Sequence, residues 1–159
     1  MKALLVIDVQ ENYVGEQRNV RRFPYHSDVL VPHINQKIQE CTKEKGVVVY
    51  ILNRFFYQSR KFTPQLAKGL DVASNNIFIK RGVNCFTNPE LIHFLHENNI
   101  TELELVGIDG NYCVAASARA GMKNGFSVIL NLQCIEAAKM NNFGRTVINL
   151  QNAGITIQE

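Results

Sequence analysis

The 159-residue sequence has no long apolar run. Its opening stretch MKALLVI is broken by Asp8 after about six apolar residues, too short for a signal-peptide core or a membrane span. No later segment reaches the roughly eighteen apolar residues that a span requires. A membrane partner is therefore not expected, and the expected location is the cytoplasm, where thiols stay reduced. An excess of one charge is equally absent. Seventeen Lys and Arg stand against fourteen Asp and Glu, so no basic face argues for nucleic acid. Cysteine is sparse: Cys41, Cys85, Cys113 and Cys134 form no C-x-x-C pair and have no histidine at ligand spacing. Four cysteines could make two disulfides in a secreted chain, but here they read as free thiols. No repeat, low-complexity tract or linker interrupts the chain, which predicts a single domain over residues 1–159.

What the sequence does contain is alternation. Short apolar runs at KALLVID (2–8), VVVYIL (47–52), NIFIK (76–80), LELVGI (103–108), FSVILN (126–131) and ITI (155–157) read as strands. Between them, amphipathic stretches read as helices. PHINQKIQECTKEKG (32–46) places Pro32 in a first turn and Gly46 at the stop. NPELIHFLHENN (88–99) has Asn88 as N-cap and Pro89 at the first helical position. NYCVAASARAGMKNG (111–125) and residues 139–152 complete the set, while residues 10–27 and the aromatic, basic stretch to Lys61 look irregular. Strand–helix alternation of this length predicts an α/β fold: a doubly wound, mostly parallel six-stranded sheet with helices on both faces, a Rossmann-like three-layer arrangement.

In such sheets ligands bind beyond the carboxyl ends of the strands. Asp8, Lys80 and the turn carrying Cys113 all fall there, on different strands, and so can share one crevice. Taken singly, each favours a bland reading: a turn aspartate, a solvated lysine, a buried cysteine. Together they are chemically complete. A helix start and the Lys80 cation would lower the pKa of the Cys113 thiol, and Asp8 could take its proton and return it to a leaving amine. The IDGNYC turn could aim backbone N–H groups at an oxyanion. None of the four histidines (His26, His33, His93, His96) lies at a strand's carboxyl end, and His93 and His96 share a helix face that reads as solvated.

The blocks LLVIDVQENYV (4–14), FIKRGVNCF (78–86) and LVGIDGNYCVAASARAGMKNGFSVIL (105–130) resemble, in order and spacing, the signature blocks of isochorismatase-like cysteine hydrolases. The resemblance implies the doubly wound fold and an Asp8–Lys80–Cys113 triad. It also implies a cis peptide between Ile108 and Asp109, turning the Asp109 N–H beside that of Cys113 into an oxyanion hole. The nicotinamidase branch of the family binds a divalent metal after its second strand. Here that stretch offers Asn53, Arg54, Phe55 and Phe56, none a good transition-metal ligand, so no metal and no cofactor is expected. Isochorismatases proper lack the cysteine, so Cys113 points instead to hydrolysis of a small-molecule amide-type C–N bond through a thioester. Gln10, Tyr13, Phe55, Phe56 and Tyr112 are the pocket candidates, with simple packing or a subunit interface as the alternative for Phe55 and Phe56. Arg54 and Arg60 could meet a substrate carboxylate or be surface charges, and Arg81 should point away from Lys80. A chain this short for the family implies a homo-oligomer that completes the pocket. Two other classes remain open: a non-catalytic binding or scaffold protein on the same fold, and a reactive-thiol sensor.

Overall fold

The computed structural model describes all 159 residues. Strand β1 (Lys2–Ile7) is followed by a single helical turn α1 (Glu11–Val14) and the long helix α2 (Ser27–Lys43). Then come β2 (Val47–Asn53), β3 (Ile77–Lys80), a short 3-10 turn (Cys85–Thr87) and α3 (Pro89–Glu97). The second half holds β4 (Glu102–Gly107), α4 (Cys113–Lys123), β5 (Ser127–Ile135), α5 (Met140–Asn152) and β6 (Thr156–Gln158).

The six strands form one sheet in the order β3-β2-β1-β4-β5-β6, and every neighbouring pair is parallel. Strands β1 and β4 occupy the centre and are buried on both faces, which explains why ALLVI and LELVG lack a clean polar alternation. Leu30, Ile34, Ile38 and Cys41 of α2 cover one face together with Leu4, Val6 and Tyr50. On the other face Leu91 and Leu95 of α3, Val114 and Ala118 of α4, and Phe143 and Leu150 of α5 pack on Leu5, Ile7 and Leu105. This is the expected three-layer fold.

Several boundaries differ from expectation. Helix α2 begins at Ser27, so Pro32 is its sixth residue and not part of its first turn. A proline there removes one backbone donor, and the four-residue apolar stripe of α2 outweighs that local preference. Within the stretch read as irregular, residues 11–14 form α1. Strand β5 runs on to Ile135, past the predicted end at Asn131, with its register shifting between Leu105 and Gly107 of β4.

The chain leaves β1 toward β2 and β3 on one side and returns through β4 toward β5 and β6 on the other. The carboxyl ends of β1 and β4 therefore flank the point where the strand order reverses. Gly107 lies at that point with φ +116°, and a Cβ there would sit 2.1 Å from the Ile7 carbonyl oxygen. Only glycine lets β4 close on β1 in this way.

Candidate active site

Three chain segments converge at the reversal point. Asp8 follows β1 in a left-handed conformation (φ 56°), with its N–H donating to the Ile51 carbonyl at 2.9 Å. Lys80 ends β3, and Cys113 is the first residue of α4. The Lys80 ammonium is 1% exposed and lies 3.0 Å from Asp8 Oδ2, 3.0 Å from the Gly82 carbonyl and 3.4 Å from Cys113 Sγ. Asp8 is equally buried, and its Oδ1 has no hydrogen-bond partner in the protein. Cys113 alone of the three is partly open to solvent. Arg81, as expected from strand alternation, is exposed.

The electrostatics do not favour a resting thiolate. Burial, followed by the Asp8 carboxylate, pushes the Cys113 thiol up to about 12, against the opposing pull of Lys80. The start of α4 does not reverse this, contrary to the sequence expectation. Burial also raises the Asp8 carboxyl above its ordinary value, with the Lys80 charge acting in the other direction. For Lys80, burial works against the charge, but Asp8 and Cys113 outweigh it and hold the ammonium protonated. The resting site is therefore a Lys80–Asp8 ion pair beside a neutral thiol, with a carboxylate more basic than usual.

The turn before Cys113 contains the cis peptide between Ile108 and Asp109. Its amides are sharply divided. Those of Ile108, Gly110, Asn111, Tyr112 and Val114 all donate within the chain: to the Ile7 carbonyl, the Glu136 carbonyl, Asp109 Oδ1, and twice to the Asp109 carbonyl. The N–H groups of Asp109 and Cys113 have no acceptor in the protein. The Asp109 carboxylate anchors the turn by accepting from Tyr25 Oη at 3.0 Å, Ala138 N at 2.7 Å and Asn111 N at 2.8 Å. Burial and then the Asp109 charge raise the pKa of Tyr25, keeping its hydroxyl a donor. Sequence reasoning missed the Asp109 carboxylate and Tyr25, because nothing in spacing alone joins residues so far apart.

The pocket candidates separate into different environments. Gln10 is fully buried, and its amide brackets the backbone of Asn53, donating to its carbonyl at 3.0 Å and accepting from its N–H at 2.8 Å. It prolongs the β1–β2 pairing and is not a pocket surface. Tyr13 is buried, and its hydroxyl accepts from Asn53 Nδ2 at 3.1 Å. Phe55 is half-buried between Tyr13 and Tyr57. Phe56 is 78% exposed and Tyr112 57% exposed, so both project to solvent. Neither Arg54 nor Arg60 makes a side-chain hydrogen bond or ion pair. Asn53, in register with Lys80, went unrecognised as a wall residue, although strand alternation puts both on one face.

Among known proteins, the Isochorismatase domain model matches residues 2–156. An uncharacterized isochorismatase family protein, YrdC of Bacillus subtilis (strain 168), is 28% identical over 143 residues, covering 81% of this chain and 70% of that protein. The crystal structure of the pyrazinamidase of Pyrococcus horikoshii in complex with zinc superposes with a TM-score of 0.82 at 21% identity, covering 99% of each chain. N-carbamoylsarcosine amidase from Thermoplasma acidophilum superposes with a TM-score of 0.80 at 16% identity, covering 99% of this chain and 95% of that one.

The residues at the end of β2 do not fit a zinc ion. No three His, Cys, Asp or Glu side chains cluster to hold a metal, and Asn53 directs its amide nitrogen to Tyr13. A match to the family model over nearly the whole length, joined to the same fold, makes the chain a member of the isochorismatase family.

Proposed function

We propose that the protein is a cysteine-dependent hydrolase of a small-molecule amide-type C–N bond, working without a metal through an Asp8–Lys80–Cys113 triad. One observation carries this reading. A thiol, a carboxylate and an ammonium from three separate segments meet around Lys80 Nζ, and the turn leading into Cys113 has two backbone N–H groups, of Asp109 and Cys113, with no acceptor of their own.

The division of labour follows from the electrostatics. Cys113 rests as a thiol, so nucleophilic attack needs a base, and Asp8 is buried next to it with a raised pKa. As Sγ attacks the carbonyl carbon, its proton passes to Asp8 and the carbonyl oxygen becomes an oxyanion. The N–H groups of Asp109 and Cys113 donate to that oxygen. Asp8 then returns the proton to the leaving nitrogen as the C–N bond breaks, giving ammonia or an amine and a thioester on Cys113. Water, deprotonated by Asp8, hydrolyses the thioester and restores the thiol. Lys80 stays protonated throughout and holds Asp8 ionised between proton transfers.

The test is a panel of small primary amides assayed for ammonia release, with intact-mass detection of an acyl adduct on Cys113. Turnover lost in Cys113→Ala, with an adduct mapped to Cys113, is the expected result. No turnover across the panel and no adduct would overturn the reading. A thiol sensor is disfavoured by the raised pKa of Cys113 and by the burial of Cys41, Cys85 and Cys134.

A further inference from the structure

The end of β2 has a buried polar corner that the proposed chemistry leaves unused. Asn53 is 3% exposed and in register with Lys80 on the neighbouring strand, so its side chain stands beside the triad. Its Nδ2 donates to Tyr13 Oη at 3.1 Å, but its Oδ1 is buried without any partner. Tyr13 Oη accepts that bond and donates none, so its proton is also uncommitted. Burial raises the pKa of Tyr13, so its hydroxyl keeps its proton.

An unpaired buried acceptor is uncommon in a folded protein and costs free energy unless something completes it. Here one acceptor and one donor sit side by side, held by a single hydrogen bond, with Gln10 fixing the Asn53 backbone from both sides. Phe55 packs on the Tyr13 ring and makes the surroundings apolar. The complement of such a pair is a planar neutral group with an N–H next to a C=O. A carboxylate would set its charge against Asn53 Oδ1, and a ring nitrogen would offer that oxygen no donor.

We propose that Asn53 and Tyr13 form a neutral subsite that takes a second, non-reacting carboxamide of the substrate. Asn53 Oδ1 accepts its N–H and the Tyr13 hydroxyl donates to its C=O. The subsite rests on the hydrolase reading for its purpose and replaces a metal as the means of orienting substrate. It makes the preferred substrates small diamides whose reacting carbonyl faces Cys113.

Binding separates the two ideas. Succinamide and methyl succinamate share a reactive primary amide and a distal carbonyl, but only succinamide has a distal N–H. Each would be titrated calorimetrically into Cys113→Ala, which cannot turn over. Succinamide should bind at least about tenfold more tightly, the scale of one hydrogen bond to a buried group. Asn53→Leu in the same background should bring the ratio to within about twofold. Tyr13→Phe should weaken both ligands while preserving the ratio, and it provides a second handle if Asn53→Leu does not fold. No measurable binding of succinamide, a ratio near one or reversed, or a ratio unchanged by Asn53→Leu would overturn the subsite. Discriminating binding without turnover by the wild type would instead overturn the hydrolase reading, and equal turnover of both amides would leave that reading standing without the subsite.

Discussion

The sheet buries two carboxylate–lysine networks, and they differ in a telling way. On the α2 face, Glu104 of β4 is 1% exposed and pairs with both Lys2 and Lys37. Those lysines keep their heads partly in water, with side-chain exposures of 29% and 19%. At the carboxyl end, Asp8 has one lysine, itself 1% exposed and shared with a thiol and a carbonyl. Two cations share the Glu104 carboxylate, and no thiol or other acid is among its partners. One shared cation and a nearby thiol leave Asp8 able to take a proton. Burial of a carboxylate is thus no mark of a functional site by itself; the number of cations it must share is.

The largest expected contrast is in turnover. Cys113→Ala and Asp8→Asn should each lower kcat/KM for any amide substrate by about 10⁴-fold or more, as for groups that act as one unit. Lys37→Met should leave it within about twofold. Steady-state kinetics on a common substrate would decide this.

Stability should show the next largest difference. Lys80→Met leaves a buried carboxylate with no cation and should cost about 3–5 kcal/mol at neutral pH, read from urea unfolding. Lys37→Met leaves Glu104 its second lysine and, given the partial exposure of Lys37, should cost no more than about 1 kcal/mol. The sign of the pH dependence follows from Asp8. Without Lys80 its folded-state pKa rises further, so the cost is present above that pKa and shrinks as falling pH protonates the carboxyl.

The pH profile of the wild type sharpens the comparison further. In the proposed mechanism Asp8 must be ionised to act as base, and its pKa is raised, so kcat/KM should fall on the acid side through a pKa above the ordinary 3.8. An acid limb at or below the ordinary value would contradict the burial argument. The smallest effect is expected at the turn leading into Cys113. Tyr25→Phe removes one of three donors to the Asp109 carboxylate and should lower kcat about tenfold with little change in KM.

Much of this arrangement was legible in the sequence because it follows from periodicity. Short apolar runs ending on Asp8 and Lys80, and a glycine-flanked turn into Cys113, put three chemical groups at one end of a parallel sheet. The resemblance to the isochorismatase blocks added the cis peptide between Ile108 and Asp109, and the structure has it. What the sequence hid depends on tertiary contact. The thiol looked activated because a helix start and a lysine both favour a thiolate, yet burial and Asp8 count for more. Gln10 was a pocket candidate, but its amide continues the backbone pairing of β1 with β2. Phe56 and Tyr112 looked like pocket aromatics, and their solvent exposure depends on loop geometry that no period encodes.

The central claim is that Cys113 rests as a neutral thiol beside the ionised Asp8 and is not a preformed thiolate. It is tested most directly by the pH dependence of iodoacetamide labelling at Cys113, read by peptide mass spectrometry in the wild type, Asp8→Asn and Lys80→Met. Wild-type Cys113 should label slowly near neutral pH and speed up only toward a pKa of about 12. Asp8→Asn should shift that rise to lower pH by removing a negative charge, and Lys80→Met should shift it higher. Rapid labelling of wild-type Cys113 at neutral pH, slowed by loss of Lys80 and unaffected by loss of Asp8, would contradict the account and restore the thiolate.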